Sequence, residues 1–241
     1  MTSIQSREFR GHSFRFVCVD GAQHPSWFSF DDESTVRDRD WTVEADDCVL
    51  DVGAAYGSYT LTALACGAAF VFAWSPSSPI IDADVGTECA FLRASLRLND
   101  WQDRCVVYPT GFYDKNGRLN AMSQAFDADS TTSGPDIIDV QPMDTWYVHD
   151  FLTKHTKMSF RRYWLKLDVE GAEVAVLRGG AQLLAELQPF VLVENHQFKD
   201  ATIADQVRRL MLSYGYSEIS THPYHGVSHS LYRPQPMVST S

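Results

Sequence analysis

The chain has 241 residues, 44% hydrophobic and 21% charged, which is enough apolar material for a sizeable core and excludes a disordered or collagen-like polypeptide. Twenty Lys and Arg against 31 Asp and Glu leave a net charge of −11, and no local basic patch offsets it, so neither a nucleic acid nor a membrane surface is expected as a partner. The longest uncharged, largely apolar run, Leu61 to Trp74, has 14 residues, short of the roughly 18 to 20 that span a bilayer.

Residues 1–40 mix an aromatic strand-like run, Phe14-Arg15-Phe16-Val17-Cys18-Val19, with a charged stretch from Asp31 to Asp40, and read as an N-terminal extension that caps the substrate mouth. From Cys48 to about residue 235 the rhythm changes to short β-branched or aromatic runs alternating with helical patterns, the signature of βαβ units and a mainly parallel sheet. The predicted strands are Cys48–Val52 and residues 69–74, 105–108, 163–168 and 190–194, each nearly continuous in apolar character, as strands covered on both faces must be. Residues 58–65 are helix-compatible. Val174, Leu177, Ala181 and Leu184 recur at three- and four-residue spacing and predict one helix with a single buried stripe. Val207, Leu210, Met211 and Tyr214 predict another, terminated by Gly215. Residues 116–143 read as a loop-rich insertion with one short strand at 137–140, and residues 216–220 and 230–233 as an antiparallel hairpin at one sheet edge.

The cysteines at 18, 48, 66, 89 and 105 are odd in number and contain no CxxC pair, which predicts reduced thiols. The opening Met-Thr-Ser-Ile-Gln-Ser-Arg-Glu lacks the pattern of a secretory signal, so a cytoplasmic location is expected.

Chemistry concentrates at the strand ends. Val49-Leu50-Asp51-Val52-Gly53-Ala54-Ala55-Tyr56-Gly57 runs from a strand into a D-x-G-x-x-x-G turn and then a helix, so a ligand is expected against exposed amides at the helix N-terminus. A dinucleotide site more often shows G-x-G-x-x-G; here Ala55 replaces the middle glycine and Asp51 precedes the turn, which suits the ammonium end of S-adenosylmethionine better than a pyrophosphate. In Leu165-Lys166-Leu167-Asp168-Val169-Glu170-Gly171-Ala172-Glu173, Lys166 and Asp168 point to one side of a strand whose carboxyl end opens on the same crevice as Gly53. Glu170 and Glu173 sit where first-turn acids complement a helix dipole, and that is the reading favoured for Glu173.

These segments resemble the FkbM family of S-adenosylmethionine-dependent methyltransferases over roughly residues 41–220. The resemblance rests on the glycine turn, on Gly111-Phe112-Tyr113-Asp114-Lys115-Asn116-Gly117, on Met143-Asp144-Thr145-Trp146, and on Leu165 to Glu173 followed by Pro189-Phe190-Val191-Leu192-Val193-Glu194-Asn195-His196. It implies an α/β, Rossmann-like class I methyltransferase fold over residues 41–235, with a seven-stranded, mainly parallel sheet, helices on both faces and an antiparallel C-terminal edge hairpin. It also implies O-methylation of a hydroxyl on a small molecule or sugar-like natural product. Asp51, Gly53, Ala54, Tyr56, Gly57, Ser75 and Phe112 are then the expected cofactor contacts, with Phe112 beside the adenine. The family usually carries an acid before proline after the second strand, to grip the ribose hydroxyls; here Ser75-Pro76 stands there, and either Asp82 or Asp84 swings in or cofactor affinity is reduced.

An alcohol becomes a good nucleophile only as its proton leaves, so a base or metal must stand beside it. Asp168 and Glu170 are the first candidates, Glu194 and His196 the second. His222, His225 and His229, with His196, suggest imidazole ligation, but their spacing matches no recognised helix-face pattern and no metal is assigned. Trp27, Phe28, Phe30, Trp41, Tyr56 and Tyr113 are read mainly as core. Two alternatives stand beside the enzyme: a catalytically silent binding protein on the same fold, encouraged by Ser75, and an NAD-type oxidoreductase.

Overall fold

A computed structural model describes residues 2–19, 34–76, 88–120, 126–127, 137–155 and 157–236. Trp27, Phe28, Phe30, Asp82 and Asp84 lie outside the described residues.

Strands β1 (Thr2–Phe9) and β2 (His12–Val19) form an antiparallel hairpin. Phe14, Phe16 and Cys18 alternate inward along β2 at the two-residue period of a strand, against the helices described next. Then follow α1 (Ser34–Asp40), β3 (Cys48–Val52), α2 (Ser58–Ala65), β4 (Phe70–Trp74), α3 (Glu88–Leu98), β5 (Cys105–Tyr108), β6 (Gly111–Phe112), β7 (Gly117–Asn120), β8 (Phe126–Asp127) and β9 (Ile137–Gln141). After α4 (Met143–Trp146) a π-helical turn, Tyr147–Phe151, leads into α5 (Leu152–Lys154). The chain closes with β10 (Tyr163–Leu167), α6 (Glu173–Arg178), α7 (Ala181–Leu187), β11 (Phe190–Asn195), α8 (Ile203–Ser213), β12 (Tyr216–Tyr224) and β13 (Val227–Pro234).

The main sheet has seven strands in the order β12-β13-β11-β10-β3-β4-β5. The five from β11 to β5 are parallel, and β12 and β13 form the expected antiparallel edge hairpin. Successive side chains of the central strands face opposite ways into two cores. Val49, Val71, Trp164 and Leu192 pack with α2, α3 and the N-terminal hairpin; Leu50, Phe72, Leu165 and Val191 pack with α4 and α6 to α8. That two-sided burial is why these strands are apolar at nearly every position. At their amino ends the buried Asp47 carboxylate accepts hydrogen bonds from Arg161 Nε (3.0 Å), Arg162 Nε (2.8 Å) and Trp164 Nε1 (3.1 Å), tying the starts of β3 and β10 together.

Two expectations need correction. The insertion carries more strand than expected: its β7, β8 and β9 join β6, which precedes it, in a second sheet of order β6-β9-β7-β8. The stripe from Val174 to Leu184 is not one helix but two, broken at Gly179-Gly180. A Cβ on Gly179 would lie 2.2 Å from Tyr113 O, and one on Gly180 would lie 2.2 Å from Met143 Cε, so the break lets neighbouring chain approach closely. Asp144 then caps the second helix by accepting from the amides of Gln182 (3.0 Å) and Leu183 (2.8 Å). Replacing Asp144 with Ala removes both bonds and is expected to cost about 1 to 2 kcal/mol in a urea denaturation, as loss of an N-terminal helix cap does.

Candidate functional site

All the parallel strands present their carboxyl ends to one opening, and the chain departs from β3 toward β4 on one side while β10 and β11 fill the other, so a crevice forms where β3 and β10 part. The turn after β3 is pressed into that crevice. Gly53 has φ +86°, and a Cβ there would lie 1.7 Å from Asp168 O; Gly57 has φ +91°, and a Cβ would meet Leu92 Cδ1 at 2.3 Å.

The loop is more self-contained than its sequence suggests. Gly53 N and Ala54 N both donate to Trp74 O, at 3.0 and 2.8 Å, and Gly57 N donates to Ala54 O at 2.7 Å. These amides are therefore internal struts and not exposed donors for a ligand. Asp51 is fully buried beneath the loop, accepting from Thr60 Oγ1 at 2.6 Å, and burial raises its carboxyl above the usual aspartate range. It shapes the loop from below and does not open on the crevice. Ala54 and Tyr56 are also buried, with Tyr56 edge-on to Phe91 at 5.8 Å. Phe112 is core as well: its ring lies 4.8 Å from that of Trp74.

Ser75, fully buried after β4, donates from Oγ to Glu88 Oε2 at 2.6 Å. A carboxylate thus does reach the end of β4, carried by the first residue of α3 and not by the strand itself. Burial raises the Glu88 carboxyl, the Ser75 hydrogen bond partly opposes that, and the charges of Asp168 and Glu170 push it up further.

On the far side of the crevice, His196 follows β11 and is 2% exposed. Its Nδ1 is hydrogen-bonded to the fully buried Glu173, which also accepts from Gly171 N at 3.1 Å. Glu173 therefore orients His196, a larger role than complementing a helix dipole. The other ring nitrogen, Nε2, faces Asp168 Oδ1 at 3.5 Å, Glu170 Oε2 at 3.6 Å and Glu194 Oε1 at 3.7 Å. Burial alone would lower the His196 pKa, but the Glu173 bond and the surrounding carboxylates outweigh it and hold the imidazole up at about 9. For Asp168 burial acts upward, yet Lys166 and His196 prevail and hold the carboxyl below its usual range. The expected Lys166 and Asp168 pair is formed, Nζ to Oδ2 at 2.8 Å.

All four predicted catalytic residues, Asp168, Glu170, Glu194 and His196, are thus brought together. Of the C-terminal histidines, His229 alone joins them. His229 Nε2 reaches Glu194 Oε2 at 3.1 Å, whereas His222 Nε2 lies 3.6 Å from Asp40 Oδ2 and the His225 ring sits 4.5 Å from that of Tyr224. Glu88, Glu173 and His229 are the site residues the sequence did not single out for these roles. Each acts on a partner distant in the chain, and nothing in local spacing marks that.

All five cysteines are free thiols. Among the described residues no helix is long and apolar enough to cross a membrane.

A family model described as the methyltransferase FkbM domain matches residues 51–218. The fold is similar to the crystal structure of methyltransferase FkbM from Methylobacillus flagellatus KT, with TM-score 0.54 and 18% identity over 81% of this chain and 46% of that one. It is also similar to a protein from Streptococcus mutans described as a SAM-dependent methyltransferase, with TM-score 0.51 and 8% identity over 95% of this chain and 55% of that one. The chain thus spans about half the length of either structure. No curated protein matches it.

Proposed function

The chain belongs to the FkbM methyltransferase domain family, and from that membership we propose that it transfers the methyl group of S-adenosylmethionine to a hydroxyl oxygen of a small, sugar-like molecule. The observation that carries the cofactor assignment is the Ser75 to Glu88 hydrogen bond, which restores a carboxylate where the family pattern has one and this strand does not. An ionised Glu88 suits a ribose diol, since a carboxylate accepts two hydroxyl hydrogen bonds with charge assistance. The closely folded turn from Gly53 to Gly57 would lie under the methionyl end. The negative field of Asp168, Glu170 and Glu194 favours a sulfonium cation over the neutral thioether left after transfer.

Of the carboxylates around His196, Glu170 is the one open to a substrate: its side chain is 66% exposed, against 23% for Asp168 and 14% for Glu194. In the reaction the hydroxyl oxygen bonds to the methyl carbon, the carbon–sulfur pair stays on sulfur, and the hydroxyl proton passes to Glu170. His196 at its raised pKa carries a proton at neutral pH and serves as a counter-charge, not as the acceptor. The insertion and the N-terminal hairpin, both beside the strand ends or the helices that flank them, are proposed to select the substrate.

Calorimetric titration with S-adenosylhomocysteine and with NAD tests the reading. We expect heat with the first only, and affinity that weakens as pH is lowered through the raised pKa of Glu88, because protonation removes the charged acceptor. Glu88→Gln is expected to weaken binding roughly tenfold, about 1.4 kcal/mol, and to flatten that pH dependence. Heat with NAD instead, or none with either ligand, would refute the assignment.

A further inference from the structure

We propose that Asp168, Glu194 and His196 form a binding site for a divalent transition-metal ion at the mouth of the crevice. One ligand atom from each residue lies within 4.8 Å of the others. The separations of His196 Nε2 from Asp168 Oδ1 and Glu194 Oε1, 3.5 and 3.7 Å, are close to the edge of a coordination shell with bonds of about 2.1 Å, which is about 3.0 to 3.4 Å. A contraction of a few tenths of an ångström brings these two edges to that length.

The arrangement around the three residues is what separates them from a chance gathering of acids. Each has one polar atom held from behind and the other turned toward the shared centre. Asp168 Oδ2 accepts from Lys166 Nζ at 2.8 Å while Oδ1 faces inward. Glu194 Oε2 is bonded to His229 Nε2 at 3.1 Å while Oε1 faces inward. His196 Nδ1 is fixed by Glu173, leaving Nε2, on a side chain almost wholly buried, aimed at the centre, where a bound ion takes the place of the proton this nitrogen carries in the metal-free protein. A carboxylate behind a histidine, setting its tautomer and ring angle, is the outer-shell pattern of metal-ligating imidazoles. These partners come from three separate elements, β10, α6 and β13, so no single turn of chain accounts for the convergence.

One imidazole with two carboxylates selects manganese, iron, cobalt or zinc over calcium or magnesium, which prefer oxygen alone. Three protein ligands leave coordination positions open. Resting on the methyl-transfer reading, one of these would take the substrate hydroxyl beside Glu170 and make its proton easier to remove; the ion site itself does not depend on that reading.

The full-length chain, stripped of metal with a chelator and dialysed, is titrated with cobalt(II) and followed by visible absorption, and with manganese(II) followed by electron paramagnetic resonance. One ion per chain is expected. Glu194→Gln should weaken binding at least tenfold and His196→Ala a hundredfold, and His229→Gln, which touches only the outer shell, about tenfold. Circular dichroism and S-adenosylhomocysteine titration on the same samples report whether each variant is folded, and they separate failure of the ion site from failure of the cofactor assignment. No uptake by the parent chain, or uptake that a folded Glu194→Gln variant retains undiminished, overturns the proposal; the latter result marks an adventitious ion only.

Discussion

Gly53→Ala is expected to abolish S-adenosylhomocysteine binding and to lower the melting temperature by roughly 6 to 12 °C. The left-handed backbone at φ +86° costs an alanine about 1 to 2 kcal/mol. The larger effect is contact: the new methyl group would sit 1.7 Å from Asp168 O, and that atom belongs to backbone at the end of β10, which cannot rotate away. Relief requires the ends of β3 and β10 to separate by more than an ångström, which also breaks the Asp168 N to Val52 O hydrogen bond of 3.0 Å. A total near 3 kcal/mol, at about 2 to 4 °C per kcal/mol for a chain of this size, gives the stated fall. Calorimetry with the product cofactor and a thermal melt read the two effects separately. An alanine variant that melts and binds like the parent would show that the turn does not press on β10.

Glu170→Gln is expected to lower kcat by about two to four orders of magnitude while leaving S-adenosylhomocysteine affinity within a few-fold of the parent. Glutamine keeps the shape but accepts no proton. The residue is suited to so selective a test because its side chain is largely exposed, at 66% against 23% for Asp168 and 14% for Glu194. Its backbone supports a functional reading: at φ 54° Glu170 is one of few non-glycine residues in the left-handed region, and it stands directly before Gly171 at φ 104°. Single-turnover methyl transfer to an accepted substrate, with binding measured in parallel, is the appropriate assay. Turnover that survives with cofactor bound would move the base elsewhere.

The sheet was legible because its central strands are buried on both faces and so spell themselves as unbroken apolar runs; β3 and β5 begin and end where the runs do. The grouping of Asp168, Glu170, Glu194 and His196 was legible for a related reason, since carboxyl ends of parallel strands share one edge. What stayed hidden depends on contacts between distant residues. The stripe through Val174 and Leu184 continues smoothly across Gly179-Gly180, and only the approach of Tyr113 and Met143 breaks it. Glu173 looks like an ordinary first-turn acid because its partner, His196, is 23 positions away. Glu88 is separated from Ser75 by 13 positions and lies on a helix, so no strand-end motif could announce it. The amides of Gly53 and Ala54 carry no sequence mark that Trp74 O already occupies them.

The two ends of the chain give the site an unusual dependence. The N-terminal hairpin lies wholly outside the family-matched residues 51–218, yet Val17 N donates to Ser95 Oγ at 3.0 Å and Arg15 N to Asn99 Oδ1 at 2.8 Å, anchoring the far end of the helix that begins with Glu88. At the other extremity, β13 also lies beyond that span and supplies His229 to Glu194 and the Ser228 carbonyl to Asn195 Nδ2 at 3.1 Å. The shared segment is therefore not a portable module in this protein. A transplant of residues 51–218 alone would carry Glu88 and Glu194 into a new host and leave both of their buttresses behind.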